Sequence, residues 1–451
     1  MTVGRAGECV DRAPYLSEMD FRPFRMRVST ERYYSREFQE RERERLWMRV
    51  WQIVGRAVEL PQAGDWKVHN IFDQSYILVR GKDQVIRGFV NACRHRGNRI
   101  CSGKGHSAGL RCVYHNWLYG LDGQLLTVAH PDFEGTIDDF VAPKGELGLL
   151  PVRVECFAGF IFLNPDRNAP PLAEFLGEAR DILAAYRLEE MVPAGINVRE
   201  RLDCNWKVVM DAFGEGYHTQ GVHPELIGVV DLTKERFHAL GLHCLATTPF
   251  GGPDLAKRST DQQVETFLNL PTSHFPGLTD ALKRFAGLLA GYRGKDEKLA
   301  FPHGVTARSL LQQAVRETFT AKGLDVGGLT DSQMIDYHFW LFFPNVFLQV
   351  CAGECTTIIV EPDPGGDPNR CFWRVMTLQW LPPDQRAAKY TGLTEIPEGD
   401  HFPYFLALEQ DYRQMPIAQE GLRNRALQYM VLTKHEPRVA HFHTTLDSWI
   451  G

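Results

Sequence analysis

Residues 93–115 read CRHRGNRICSGKGHSAGLRCVYH and contain two short motifs that each combine a cysteine with a histidine. Cys93 and His95 form the first motif, and Cys112 and His115 form the second. Two thiolates and two imidazoles can bind a structural zinc ion or an iron–sulfur cluster with mixed ligands. The spacing favours a Rieske 2Fe–2S cluster, with the cysteines on one iron and the histidines on the other. Because imidazole is neutral and thiolate is charged, such a cluster has a higher reduction potential than an all-cysteine cluster.

The composition is that of a large globular enzyme. The chain has 451 residues, which is enough for two or three domains, with 44% hydrophobic and 24% charged residues. A net charge of −6 gives no reason to expect a nucleic-acid partner. The sequence contains no run of roughly 18 to 20 apolar residues that could span a membrane. We therefore expect small-molecule chemistry without a nucleic acid or a membrane.

The cysteine usage predicts a reducing compartment. Ten cysteines are scattered along the chain, and the N-terminal stretch MTVGRAGECVDRAP lacks the apolar core of a secretory signal. Both features predict a cytoplasmic protein whose other cysteines are buried free thiols. Cys101 lies within the cluster segment but has no suitably spaced partner, so it is not expected to be a ligand.

The first part of the chain predicts a short helical segment followed by a small antiparallel β domain. Residues 30–47 have the pattern of an amphipathic helix that Ser35 can cap. From Trp51, short β segments alternate with Gly, Pro and Asp, and a hairpin is expected at Asp122-Gly123. The two Cys–His motifs would then lie on loops at one tip of this domain.

The second part predicts a mixed region of helices and one large sheet. Residues 171–191 have the pattern of one amphipathic helix, and three β segments between residues 339 and 382 predict consecutive antiparallel strands. Residues 401–432 predict a helix that Pro416 breaks. Residues 250–330 have only weak helical patterns and are interpreted as an insertion or a lid over the substrate.

These elements predict an α+β protein with a small antiparallel β Rieske domain and a larger catalytic domain. The catalytic domain is expected to contain a central antiparallel sheet flanked by helices. The predicted divisions are an N-terminal helical segment packing on the catalytic domain (1–47), the Rieske domain (48–166) and the catalytic domain (167–451).

A second group of metal-ligand residue types lies in residues 205–224, NWKVVMDAFGEGYHTQGVHP. In an ideal α-helix, His218 and His223 would point about 140° apart, from ~3.6 residues per turn. They can converge only if the helix distorts between them, and Gly221 before Pro224 is the expected weak point. Two convergent histidines and one carboxylate form the facial triad of non-haem iron oxygenases, which leaves open positions for O2 and substrate.

Several carboxylates can complete this site. Asp411 on the predicted C-terminal helix is the leading candidate for the third ligand, and Glu409 and Glu420 are alternatives that spacing alone does not exclude. Glu215 lies three residues before His218, so we expect the two side chains to share a helical face. A carboxylate there can hydrogen-bond the ligand imidazole and connect it to a group outside the site.

The two Cys–His motifs followed by the His218–His223 segment resemble, in this order, the α-subunit of Rieske non-haem iron oxygenases of the aromatic-ring-hydroxylating type. The resemblance covers most of the chain and includes LWMRVWQIVG, the cluster motif, NWK…E-x-Y-H-x4-H, the PNV strand and the late EQD. It implies that Glu215 bridges the mononuclear site to the cluster of a neighbouring subunit. Many ring dioxygenases have Asp at that place, so Glu indicates a more divergent branch and leaves the substrate class more open than the chemistry. The implied ligands are Cys93, His95, Cys112 and His115 for the 2Fe–2S cluster and His218, His223 and Asp411 for the mononuclear iron.

The resemblance also implies the reaction and the partners. The chain would be a terminal oxygenase that receives electrons from NADH through a reductase, with or without a ferredoxin. It would dihydroxylate or hydroxylate an aromatic or apolar small molecule as a homotrimer, with or without β-subunits. The alternative within the family is a monooxygenase that hydroxylates or demethylates at N or O. The alternative from another class is an electron-transfer Rieske protein without mononuclear iron.

The substrate pocket is expected on two apolar segments, residues 208–213 and 339–351. Their Phe and Trp side chains would suit an apolar or aromatic ligand, although a hydrophobic core uses the same residue types. The sequence leaves the substrate itself open.

Overall fold

The computed structural model describes residues 27–128, 144–252, 255–270, 272 and 277–451. The described residues divide into two compact units. One unit contains residues 35–128, 144–175, 361–368 and 449–451, and the other contains the described residues of 27–34, 176–360 and 369–448. The domain boundaries drawn from the sequence at 47/48 and 166/167 stay predictions.

Strands and helices are distributed along the whole of the described chain. The strands are β1 (Arg27–Ser29), β2 (Gln52–Arg56), β3 (Asp65–Ile71), β4 (Gln74–Arg80), β5 (Ile86–Val90), β6 (Lys104–His106), β7 (Leu110–Arg111), β8 (Leu118–Tyr119), β9 (Leu125–Thr127), β10 (Pro151–Phe157), β11 (Phe160–Asn164), β12 (Met191–Leu202), β13 (Arg236–Leu240), β14 (His243–Thr248), β15 (Tyr337–Phe342), β16 (Val346–Cys351), β17 (Glu354–Pro362), β18 (Cys371–Trp380), β19 (Thr394–Glu395) and β20 (Tyr429–Val431). The helices are α1 (Arg36–Glu42), α2 (Leu172–Leu176), α3 (Ala179–Ala184), α4 (Trp206–Ala212), α5 (Thr219–Val222), α6 (Thr260–Leu268), α7 (Leu278–Leu289), α8 (Ala307–Ala321), α9 (Asp331–Ile335), α10 (Pro383–Lys389), α11 (Leu406–Leu422) and α12 (Pro437–Ile450).

The unit that contains α1 is built around a seven-stranded antiparallel sheet, in the order β2-β11-β10-β5-β4-β3-β6. The β segments predicted from Trp51 onward correspond to β2–β5. A buried apolar cluster joins side chains of this sheet to those of the three-stranded sheet β7-β8-β9 and includes Ile77, Phe89, Trp117 and Tyr119. The small antiparallel β domain is confirmed.

Two loops of this unit hold the Cys–His motifs, one after β5 and one after β7. Gly97 and Gly103 adopt φ values of +74° and +73°, which allow the first loop to turn where a side chain would strain the backbone. Gly123, with φ +86°, occupies the predicted hairpin between β8 and β9. The turn residues therefore set the loop geometry that presents the motifs.

The other unit contains an eight-stranded sheet in the order β13-β14-β15-β16-β17-β18-β12-β19. The first of the three predicted β segments corresponds to β15 and β16, the second to β17 and the third to β18, and the segment PDPGGDPN joins β17 to β18. All residues of β17 except Glu361 are buried, which places this strand in the core. The predicted central antiparallel sheet is confirmed, except that the edge strand β19 runs parallel to β12.

The described residues of 255–330 contain three main helices, α6, α7 and α8, which contact one another. In α7 the buried residues recur every three or four positions, so one apolar face packs inward while the other face is charged. Across the described part of the chain, no helix is both long and apolar enough to cross a membrane.

Two helix predictions are wrong. The single helix predicted over 171–191 is interrupted between α2 and α3, where Gly177 has φ +50°. The helix predicted to break at Pro416 continues through it in α11. Met415 and Gln419, on either side of the proline, are buried, and the Gln419 side chain accepts a hydrogen bond from the Asn205 N–H. Tertiary packing thus outweighs the one backbone hydrogen bond that the proline cannot donate.

Candidate metal centres and active site

The four predicted cluster ligands lie on the two loops after β5 and β7. The Cys93 and Cys112 side chains are buried, whereas His95 is exposed and His115 is half-buried. The two imidazole rings meet edge to face with their centroids 4.5 Å apart. Burial raises the pKa of Cys93, a hydrogen bond with Tyr119 opposes this rise, and the neighbouring Cys112 thiol adds to it. The loops bring together two buried thiols and two adjacent imidazoles.

Hydrogen-bond donors are directed at both sulfurs. The Tyr119 hydroxyl lies 3.1 Å from Cys93 Sγ and accepts a hydrogen bond of 3.1 Å from the Arg94 backbone N–H. Since its oxygen already accepts, its proton is available to the sulfur. Asn98 Nδ2 donates to Cys112 Sγ at 3.8 Å. Such donors stabilise thiolates, so the residues present fit a cluster bound through two cysteine sulfurs.

The second site is built where α4 and α5 meet. Asn205 caps α4 by accepting from the Lys207 N–H, and α5 ends at Val222 because Pro224 disfavours helical backbone at His223. His223 has φ −123° and ψ 60° and leaves the helix. The predicted distortion between the histidines is confirmed, but its predicted place is wrong, since Gly221 lies inside α5.

The side chains of His218, His223 and Asp411 converge. The Nε2 atoms of the two histidines are 3.2 Å apart. Asp411 Oδ1, from α11, lies 3.6 Å from His218 Nε2 and 3.0 Å from His223 Nε2. One ligand atom from each residue can therefore bind the same ion. Two imidazoles and one carboxylate are the donors of a facial iron site.

The outer nitrogens of both histidines have their own partners. His218 Nδ1 lies 2.7 Å from Glu215 Oε1, and His223 Nδ1 lies 2.7 Å from Gln410 Oε1. Because these oxygens accept, each Nδ1 carries the proton and each Nε2 keeps its lone pair for a metal. This tautomer pattern shows that the residues fit a metal ion.

Charge and burial oppose each other at these histidines. Burial lowers the pKa of His218, but the hydrogen bond and charge of Glu215 and the charge of Asp411 raise it overall. For His223 the same opposition, with Asp411 and Gln410 as the main partners, leaves the pKa raised. The carboxylates thus favour positive charge at this site.

Glu215 contacts His218 through a turn rather than along a helix. It lies between α4 and α5, and its Oε2 accepts a hydrogen bond of 2.9 Å from the His218 backbone N–H. The expectation of a shared helical face is wrong, although the expected contact exists. Both carboxylate oxygens of Glu215 are used to hold His218, one by the ring and one by the backbone.

The alternative third ligands point elsewhere. Glu409 Oε2 lies 2.9 Å from His401 Nε2, and its Oε1 accepts from Arg413 at 2.9 Å. Glu420 is exposed. Asp411 is 7% exposed and is the acidic residue of this group that joins the histidines.

A cavity of about 120 Å³ lies beside the three residues. The rings of Phe213 after α4, of Phe405 before α11, and of aromatic residues in β15 and β16 line it, together with aliphatic residues and a few polar ones. The predicted pocket segments contribute Ala212 and Phe213 from 208–213 and Phe339, Phe347 and Gln349 from 339–351. None of the described residues of 250–330 lines the cavity, and the interpretation of this segment as an insertion or a lid stays a prediction.

Several residues at these sites were not predicted from the sequence. Gln410 is adjacent to Asp411, so the EQD motif could have suggested it. Tyr119 lies four residues after His115, in the aromatic segment of the predicted hairpin. Arg438 lines the cavity. It has no local pattern that distinguishes it from other arginines.

The chain is similar to several characterised oxygenase subunits. It is 33% identical over 214 residues to the carnitine monooxygenase oxygenase subunit of Acinetobacter baumannii, which is 45% of this chain and 54% of that protein. It is 40% identical over 179 residues to the glycine betaine monooxygenase oxygenase subunit of Chromohalobacter salexigens, and this match covers 39% of this chain and 38% of that protein. It is 32% identical over 206 residues to the biphenyl dioxygenase subunit alpha of Metapseudomonas furukawaii, and this match covers 44% of this chain and 45% of that protein. The matches span about half the length of these relatives or less.

Solved structures share the fold at low sequence identity. A quaternary ammonium Rieske monooxygenase in complex with L-carnitine has a TM-score of 0.62 and 19% identity, covering 99% of this chain and 100% of that one. Naphthalene 1,2-dioxygenase from a Rhodococcus species, bound to indole, has a TM-score of 0.64 and 19% identity, covering 94% of each chain.

Two family models match the chain in the order expected from its motifs. Residues 50–137 match the Rieske [2Fe-2S] domain, and residues 184–451 match the catalytic domain of the ring hydroxylating alpha subunit. The second match alone covers more than half of the chain. The chain therefore belongs to the family of ring-hydroxylating oxygenase α-subunits, in which a Rieske domain precedes the catalytic domain.

Proposed function

We propose that this chain is the oxygenase subunit of a Rieske monooxygenase that hydroxylates or demethylates a small methylated amine. The observation that carries the proposal is the convergence of His218, His223 and Asp411 beside a cavity lined by aromatic rings. The monooxygenase names of two relatives support this reading over dihydroxylation of an aromatic hydrocarbon.

The aromatic lining suits a methylated ammonium group. The ring centroids of Phe213 and Phe347 are 4.9 Å apart, those of Phe347 and Phe339 are 5.7 Å apart, and those of Phe339 and Tyr337 are 5.1 Å apart. Contiguous ring faces attract a desolvated cation through their quadrupoles and also pack against methyl groups. They would also accept an aromatic hydrocarbon, which is the second candidate and which the similarity to biphenyl dioxygenase supports.

The residues of this chain have separate proposed roles. Cys93, His95, Cys112 and His115 would hold the cluster, and the mononuclear triad would hold Fe(II). When bound, the cluster supplies electrons and the iron supplies O2 activation. Glu215 would hold His218 in its ligand orientation and would also form the link for electrons to the cluster of a neighbouring subunit.

The partners are proposed from the same chemistry. NADH-derived electrons would reach the cluster through a reductase, with or without a ferredoxin, and the subunits would form a homotrimer, with or without β-subunits. The loop after β7 supports an encounter at the cluster, since Val113 and Tyr114 beside His115 are 79% and 55% exposed. Such accessible apolar residues are typical of a contact surface.

The test is a substrate panel with isotopically labelled O2, NADH and a surrogate reductase, analysed by product mass spectrometry. Glycine betaine, carnitine and choline represent methylated amines, and biphenyl and naphthalene represent aromatic hydrocarbons. We expect turnover of an amine with one labelled oxygen atom per product or per released methyl group. Incorporation of two labelled atoms into an aromatic hydrocarbon, with no turnover of amines, would contradict the proposal.

A change at Tyr119 should alter the cluster potential. In Tyr119→Phe, the cluster should still assemble, because its four proposed ligands remain. Its reduction potential should fall by about 40 mV, the equivalent of roughly 1 kcal/mol for one hydrogen bond to a sulfur that carries more charge when reduced.

Spectroelectrochemical titration of the visible absorption measures this shift. Tyr114→Phe is a matched control, because Tyr114 lies on the loop but is exposed, and its ring is tilted against that of His115. An unchanged potential in Tyr119→Phe, or an equal fall in the control, would show that Tyr119 does not donate to the cluster.

A further inference from the structure

The cavity beside the triad contains a buried cation that the proposed metal chemistry does not use. We propose that Arg438 binds a carboxylate of the substrate and thereby selects molecules with an anionic group. This inference rests on the proposed function in one respect, which is that the cavity holds the substrate.

Arg438 has few partners within the chain. It lies in the first turn of α12, is 1% exposed and lines the cavity. Its Nη1 donates to the Phe339 carbonyl at 3.3 Å, while its buried Nε has no hydrogen-bond acceptor in the part of the chain that the structure describes. Among the described residues, no carboxylate lies within ion-pair distance of its guanidinium. A guanidinium has five N–H donors, so most of its hydrogen-bonding capacity is unused.

The position is unfavourable for a cation without a ligand. Burial costs a charged group its hydration, and the positive end of the α12 dipole lies at the same turn. Burial lowers the pKa of Arg438, and Glu235 and Glu215 oppose that shift from beyond ion-pair distance. Burial also raises the pKa of Glu235, so the negative charge of this carboxylate is less favourable than at the surface. Its Oε1 already accepts a hydrogen bond of 2.9 Å from Thr248 Oγ1. Glu235 therefore compensates the charge of Arg438 only weakly.

A carboxylate in the cavity would supply what the chain lacks. It can accept two parallel N–H bonds from a guanidinium, which is the strongest geometry available to either group. A hydrocarbon or a simple cation would instead close the cavity over an uncompensated charge. The aromatic rings would then hold the other end of the molecule, so the cavity fits a betaine-like zwitterion or an aromatic acid better than choline or toluene.

Binding measurements on the full-length protein test this assignment. Isothermal titration calorimetry would compare glycine betaine with choline and benzoate with toluene, so that each pair differs mainly in the carboxylate. For at least one pair, we expect the wild-type protein to prefer the carboxylate by roughly tenfold or more. Arg438→Gln should lose roughly ten- to a hundred-fold in affinity for that carboxylate and little for its neutral or cationic partner. The affinity of Arg438→Lys for the carboxylate should lie between those of the wild-type protein and Arg438→Gln, because lysine keeps the charge and lacks the planar guanidinium.

Arg374→Gln is the matched control for loss of a buried arginine. The Arg374 guanidinium is 4% exposed, is hydrogen-bonded to Asn197 Oδ1 at 2.9 Å and does not line the cavity. Cluster absorption and iron content establish that each variant is folded. Equal affinities within both pairs, no binding of either carboxylate, or an equal loss in Arg374→Gln would overturn the inference.

The two proposals fail in different ways. If benzoate shows the Arg438-dependent preference and neither amine binds, the anion site stands and the amine specificity fails. If both amines bind and react without dependence on Arg438, the proposed function stands and the anion site fails.

Discussion

Asp411→Ala is expected to remove the mononuclear iron and leave the 2Fe–2S absorption unchanged. Asp411 Oδ1 is the anionic atom nearest to both histidine Nε2 atoms, at 3.0 and 3.6 Å. Without it, two neutral imidazoles alone would have to hold a divalent ion. Iron should fall from about three to about two atoms per chain, since the cluster keeps its two irons. NADH-coupled oxygenation should be lost with the third iron.

Iron analysis combined with visible spectroscopy measures both effects on one sample. Glu409→Ala is the matched control, because Glu409 lies on the same helix but pairs with His401 and Arg413. A third iron that persists in Asp411→Ala would assign the ligand to another carboxylate. Wild-type protein with about two irons per chain would instead support the electron-transfer reading, in which no mononuclear site exists.

The cluster ligands could be predicted from sequence because each Cys–His pair is local. One or two residues separate the ligands of a pair, so a single loop positions both. Glycines at the turns reinforce the signal, as at Gly97 with its φ of +74°. The Tyr119 hydrogen bond was not predictable, since it depends on how β8 returns beneath the first loop.

The mononuclear site was only partly predictable because it depends on tertiary structure. The spacing of His218 and His223 required a distortion, and Pro224 rather than Gly221 produces it by ending α5. Gln410 contacts His223 across 187 residues of sequence, so spacing could not choose among the carboxylates near it. Only the path of α11 determines that Asp411 meets the histidines. Arg438 is a similar case, since an isolated arginine carries no local signal for a cavity.

Glu215→Gln is expected to keep all the iron and the cluster spectrum but to lower NADH-coupled turnover by roughly two orders of magnitude or more. In the wild-type protein, Oε1 accepts from the His218 ring and Oε2 accepts from the His218 backbone N–H. A link to a donor of a neighbouring subunit therefore requires a further lone pair of the carboxylate. An amide has only one oxygen, so its NH2 group must face one of the three donors, which are the His218 ring, the His218 backbone N–H and the donor of the neighbouring subunit. The donor that faces the NH2 group loses its acceptor.

Electron transfer from the cluster to the mononuclear site can be measured separately from overall turnover. The cluster is reduced first, and its rate of reoxidation is then measured in the presence of O2 and substrate. The reoxidation rate should fall in Glu215→Gln by the same factor as overall turnover. In Glu215→Asp the rate should fall less, because aspartate keeps both carboxylate oxygens. Gln410→Ala is the control for ligand orientation, because Gln410 supports His223 as Glu215 supports His218. If Gln410→Ala slowed reoxidation equally at full iron content, Glu215 would be an orienting residue alone. Near-normal reoxidation in Glu215→Gln would exclude the bridge, since electron transfer would then proceed without the carboxylate.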